Sequence, residues 1–267
     1  MPSGNLQTAG AVQAADSNAM NYTASISDFF KSPQWLPNML LGGVTIMIPL
    51  IGPLVLSGWH VSAFWARGDR GDPAGIPPYD FQYFGKYLER GLWPFLVGMV
   101  ASLVLVPVMM CLFLPFFILT GPMGSGHGHE SGGFFVVFIL GMFGLQILLM
   151  LLYHILVTPL MVRATTTQDF SSAFNLRFAK SFLALTWKEL LASMLFMLGV
   201  GLCLMVIAVI TCYIGAIFAA PVAFFGWHHL QKQLYHLYLA RGGEPVPLSP
   251  KLQDGPPPLP PPVQHVV

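Results

Sequence analysis

PNMLLGGVTIMIPLIGPLVLSGWHVSAFWA, residues 37–66, carries no Asp, Glu, Lys or Arg. At about 30 residues it outruns an ordinary core helix and is as apolar as a membrane segment. Its centre, Pro49-Leu50-Ile51-Gly52-Pro53, cannot stay a straight helix, because Pro removes a backbone donor and clashes with the preceding turn. Two readings fit: a hairpin of short segments, 35–49 and 53–66, or one kinked helix. A segment of about 15 residues reaches only about 22 Å, short of the roughly 30 Å hydrocarbon core, so the hairpin reading is re-entrant.

Outward from this stretch the chain keeps the same character. Of its 267 residues, 55% are hydrophobic and 9% charged, with a mean hydropathy of +0.66. Soluble chains carry roughly 25% charged residues, so lipid is the expected solvent for most of this surface. A net charge of +1 gives no footprint for nucleic acid. Cys111, Cys203 and Cys212 lie in or beside apolar runs and form neither a disulfide framework nor CxxC spacing. No basic stretch leads into a short apolar core at the start, so the apolar runs are expected to persist rather than be cleaved.

The expected fold class is all-α: a polytopic membrane helix bundle of about six transmembrane or re-entrant segments. Residues 1–25 and the Pro-rich 237–267 read as disordered, and 26–236 as the membrane domain. The later segments are 92–119, 134–162, 187–211 and 215–235. Interfacial amphipathic helices are expected over 80–91, capped by Asp80 with Lys86, Glu89 and Arg90 toward water, and over 169–184, capped by Asp169 with a stripe of Phe170, Phe174, Phe178 and Phe182. Asp-Phe pairs at 28, 80 and 169 each start an amphipathic piece, and each is followed by a Trp. Gly-Trp-His closes an apolar run twice, at 58–60 and 226–228, which points to a weak internal duplication. Six segments place both termini in the cytoplasm with all 12 Lys and Arg on that side. Trp35, Trp59, Trp65, Trp93, Trp187 and Trp227 then form a one-sided interfacial anchor.

With Ile48-Pro49-Leu50-Ile51-Gly52-Pro53, Gly58-Trp59 and the Pro78…Phe81…Phe84…Gly91 pattern, the chain resembles a prokaryotic multi-pass membrane protein family of unknown function (DUF4013 type) over roughly residues 26–236. The resemblance implies a plasma- or inner-membrane protein of several passes. It implies no activity and no site residues.

Three groups of residues could carry chemistry. His127, His129 and Glu130 put two imidazoles and a carboxylate on a Gly-rich loop, a weak metal-ligand set beside the simpler reading of a solvated linker. Gln146, Tyr153, His154 and Thr158 share one apolar run. They read either as a polar lining for a small solute or, better, as interhelical hydrogen-bonding groups. His60 and His228 read as boundary polar residues, with headgroup binding or pH sensing as the sharper alternative. No nucleophile elbow, zinc helix motif, phosphate loop or carboxylate pair is present, so no catalytic residue and no cofactor is expected, and the protein reads as a non-enzyme. The expected role is assembly or organisation in the membrane, with the bilayer and a membrane-protein partner or second copy as partners. The alternative is a carrier or channel for a small uncharged solute.

Overall fold

A computed structural model of the chain describes residues 19–66, 77–123 and 131–253; all helices, no strand, are found among them. In order these are α1 (Ala24–Lys31), α2 (Trp35–Ile46), α3 (Ile51–Phe64), a 3-10 turn (Phe81–Tyr83), α4 (Phe84–Met123), α5 (Ser131–Thr167), the one-turn α6 (Phe170–Ala173), α7 (Leu176–Ile210), α8 (Ile214–Ala240) and α9 (Pro250–Gln253). Three stretches, Phe81–Leu112, Ile139–Thr167 and Leu176–Ile210, are long and apolar enough to cross a bilayer. Helices α2 and α3 are apolar but short, about 18 and 21 Å at 1.5 Å per residue.

Between Trp35 and Phe64 the chain doubles back. A Cβ on Gly42 would sit 3.3 Å from the Leu56 side chain, which one continuous helix would hold two dozen ångströms or so away. Pro49 ends α2, and Leu50 takes φ 62°, a conformation uncommon outside Gly. Pro53 falls in the first turn of α3, where a missing N–H costs nothing. Gly52 makes the tight turn possible, since a Cβ there would lie 2.2 Å from the Thr45 carbonyl oxygen. The turn exposes Met47, Ile48, Leu50 and Ile51.

The ends of the long helices gather at one pole. The Lys251 ammonium meets Glu89 at 2.9 Å near the start of α4. The Ser249 N–H donates to the Thr166 carbonyl at the end of α5 at 2.8 Å. Arg241, after α8, grips Glu189 on α7. Asn21 exchanges hydrogen bonds with Gln233 on α8, at 2.7 and 3.0 Å. Both ends of the described chain therefore lie at this pole. The packed core lies there as well: Phe29, Leu56, Trp59, Tyr87, Phe182, Phe225, Leu234, Tyr238 and Leu252 are fully buried. Away from it, α4, α5 and α7 present uncovered apolar surface. Val104 is 69% exposed, Val137 70% and Ile210 75%. A water-soluble monomer rarely leaves so much contiguous apolar surface bare. Lipid explains it without cost.

Several expected boundaries are corrected. No break separates an 80–91 helix from a 92–119 span; α4 runs through Gly91 and Pro94. Gly91 serves close packing instead: its Cβ would lie 2.0 Å from the Leu54 carbonyl oxygen, and one on Gly58 would lie 1.7 Å from that of Tyr87. Helices α3 and α4 thus cross with backbones in contact, which braces α4 where its sequence looks weakest. In the same way α7 replaces the expected 169–184 helix and 187–211 span, Asn175 capping it through the Phe178 N–H. Phe178 and Phe182 turn inward against Tyr238 rather than toward a bilayer surface. Asp28 starts no helix; it lies inside α1, paired with Lys31 at 2.8 Å. Of the segments expected to be disordered, residues 19–25 and 237–253 are packed, with Val246 and Leu252 buried.

Candidate functional site

The two Gly-Trp-His copies meet. His60 near the end of α3 and His228 in α8 stack with ring centroids 5.4 Å apart and planes 25° apart. Both are buried, His60 completely. Trp59 and Phe225 pack against the His60 ring at 4.5 and 6.0 Å. The Ser57 hydroxyl lies 3.4 Å from His228 Nε2. One turn on from His228, on the same side of α8, is the buried Gln231. Neither ring nitrogen of His60, nor His228 Nδ1, nor either amide atom of Gln231 has a hydrogen-bond partner. The Leu56 carbonyl approaches His60 from one turn back without forming a good bond. An unpaired buried polar atom costs about 1–3 kcal/mol, so this is the least satisfied part of the core. Neutral imidazole and amide groups can donate and accept, and so can exchange protons or hydrogen bonds with a small polar guest. Gln231 and Ser57 have no motif around them that marks them in the sequence; only the helix packing brings them to the histidines.

A second polar junction closes the pole. Tyr79 is buried between the helices of the α2–α3 hairpin, its N–H donating to Asn38 Oδ1 and its hydroxyl meeting Thr45 Oγ1, both at 2.8 Å. Burial raises its phenol above the ordinary tyrosine value, more than the Thr45 bond lowers it. Trp59 Nε1 donates to the Pro77 carbonyl at 3.2 Å. Arg90, expected to face water, is buried instead; its guanidinium donates to Ser62 Oγ and to the Lys251 carbonyl, both at 3.0 Å. Asp80 and Asp169 cap their turns as their positions imply, accepting from the N–H of Gln82 and from those of Ser171 and Ser172.

The polar set on α5 does not converge. Tyr153 bonds Ser102 and the Gly98 carbonyl on α4, at 2.9 and 3.2 Å. His154 Nδ1 donates to the Met150 carbonyl at 2.8 Å, and its ring edges against Trp227 on α8. Thr158 is buried and bonds back to the His154 carbonyl. Gln146 is exposed on the apolar helix. These contacts follow the interhelical bonding reading for Tyr153, and no shared lining results. The six tryptophans separate too: Trp59 and Trp65 are buried, Trp93 and Trp227 half-buried, Trp35 and Trp187 exposed. Two of the expected anchors are therefore core residues. His127, His129 and Glu130 lie outside the described residues. Among those described, no group of three or more His, Cys, Asp or Glu is arranged to hold a metal. A cavity of about 330 Å³ opens between α7 and α8, lined by Gly201, Leu204, Ala208, Ala220 and Phe224, and it is apolar.

The class defined by these features is an all-helical bundle with membrane-length apolar helices packed around a polar pole. The chain belongs to the family described as a protein of unknown function (DUF4013), whose model matches residues 41–223. That match begins within α2 and ends within α8, just before Gly226, and is narrower than the 26–236 expected. No curated protein and no solved structure was found to match it.

Proposed function

We propose that this is a non-enzymatic integral membrane protein that acts by assembly, its bulky pole on the cytoplasmic face of the cell's plasma or inner membrane and its bare helices in lipid. The observation that supports this reading is the division of the molecule: charge, core and both ends of the described chain at one pole, unpartnered apolar helix surface at the other. The α2–α3 hairpin enters the near leaflet without crossing, its exposed apolar turn leading. Twelve Lys and Arg favour the cytoplasmic side. The test is labelling with an impermeant thiol reagent of single cysteines placed at Met20 and Gln253 in intact cells lacking the native cysteines. Both are expected to stay unlabelled until the membrane is opened; labelling of either from outside overturns the orientation.

The carrier reading keeps one supporting observation, the unpaired His60–His228–Gln231 cluster. Vesicles containing the protein are expected to pass glycerol and urea no faster than protein-free vesicles. A faster flux that His228→Leu abolishes would replace the assembly reading with transport.

A further inference from the structure

Gln146 is the polar residue left over. It stands near the middle of the apolar run 134–162 of α5, roughly 18 Å from one end and 24 Å from the other along the helix. Its side chain is exposed and makes no hydrogen bond to another described residue. One helical turn to either side on the same face, Phe143 is 61% and Met150 53% exposed. Tyr153, two turns along, bonds Ser102 of α4, but no described residue of α4 gives Gln146 such a bond. An amide facing hydrocarbon with nothing to bond is unfavourable, and the usual remedy is a polar group on a neighbouring helix.

We infer that the Gln146 face of α5 docks on the same face of a second copy of this chain. The reason lies in symmetry. Two copies inserted with the same topology can form a closed pair only about an axis along the membrane normal. That axis runs the two α5 helices parallel and sets each residue at the depth of its own counterpart. Gln146 then meets Gln146 of the second copy, and a carboxamide is self-complementary: each N–H donates to the other's oxygen. A different membrane protein would need its own polar group at this depth, whereas a second copy supplies one automatically. Phe143 and Met150 pack above and below the pair. This inference rests on the membrane assembly reading and names its partner.

The test uses the full chain, with Cys111, Cys203 and Cys212 replaced by Ser, in phosphatidylcholine vesicles. Single cysteines at Phe143 or Met150 are expected to cross-link two copies under mild oxidation. A cysteine at Gly144, about 160° round the helix, is not. Energy transfer between labelled copies is expected to show dimer dissociation rising about tenfold in Gln146→Leu and returning toward the original value in Gln146→Asn. Gln146 makes no hydrogen bond to a described residue, and thermal unfolding in detergent, expected to match that of the original chain, separates lost association from lost folding in these variants. Absence of self-association, equal association of the Leu variant, or cross-linking through Gly144 overturns the inference while leaving the membrane reading intact. Release of the protein from membranes by alkaline washing without detergent overturns both.

Discussion

The α2–α3 and α7–α8 hairpins share a layout. Each turns on a residue of positive φ, Leu50 at 62° and Tyr213 at 68°, and each returns with Ile-Gly: Ile51-Gly52 and Ile214-Gly215. Each returning helix then reaches Gly-Trp-His at the pole. They differ in length and in how closely they are packed. The first hairpin is about 20 Å tall, the second about 40–50 Å. Gly52 and Gly58 sit against backbone, while Gly215 and Gly226 face side chains, Thr211 and Ile26. The short hairpin is enclosed on several sides: eleven of the fourteen residues of α3 are buried, α2 lies against Pro221 and Phe218 of α8 at Gly42 and Gly43, and α3 meets α4 backbone to backbone at Gly58 and Gly91. The long hairpin has area enough to be held by ordinary side-chain packing. The duplicated pattern thus carries two mechanical roles, a wedge clamped to the bundle and a pair of long helices.

The glycine pairs give the sharpest way to break this contrast. Gly58→Ala is expected to cost about 3 kcal/mol or more, because two helix backbones must separate; Gly226→Ala crowds only the far end of the Ile26 side chain, with the Ser25 carbonyl oxygen at an ordinary 3.4 Å, and is expected to cost about 1 kcal/mol or less. Thermal unfolding in detergent reads the difference, and equal losses would mean that the hairpins are packed alike. The tryptophans come next. Trp59→Phe removes a buried indole and strands the Pro77 carbonyl, an expected loss of about 1–3 kcal/mol, against less than about 1 for the half-buried Trp227→Phe. Tyr79→Phe deletes only the hydroxyl bond to Thr45, which keeps its own bond to Leu41, so about 1 kcal/mol is expected. Thermal unfolding in detergent reads this loss too, and an unchanged midpoint would mean that the Tyr79–Thr45 bond contributes nothing measurable.

The smallest effect concerns the cap before the long hairpin. The Ser171 hydroxyl, then the Ser172 N–H, hold the exposed Asp169 carboxyl below its ordinary range. A depressed carboxyl contributes stability above its unfolded value, near about 4, and loses it as pH falls through the lower folded value. Asp169→Asn should therefore lower stability slightly at neutral pH and flatten the acid limb, the variant and the original chain converging once the carboxyl is protonated. An unchanged acid limb would mean that the cap contributes nothing measurable.

Much of the fold was legible because its signals are local. The charge-free runs, the breakers at 49–53 and the capping aspartates at 80 and 169 act within one or two turns of chain. Legibility failed where an amphipathic pattern had two valid environments. Phe178 and Phe182 fit a bilayer surface or a protein core equally well by spacing, and Tyr238, far away in sequence, decides for the core. Arg90 reads as a solvent residue until Ser62 and the tail close over it. Gly91 reads as a helix end because a missing side chain signals flexibility and close contact alike.

By itself the sequence determined the solvent of this protein and the places where its helices turn back, since both follow from composition and backbone sterics over short stretches. Which of the chemically identical residues became core, anchor or unpaired polar group was decided only by tertiary structure. Trp59 and Trp227, or His60 and His154, differ not in chemistry but in what the rest of the chain brings beside them. That depends on contacts between segments far apart in sequence, where burial and hydrogen-bond partners are set by packing rather than by neighbouring residues.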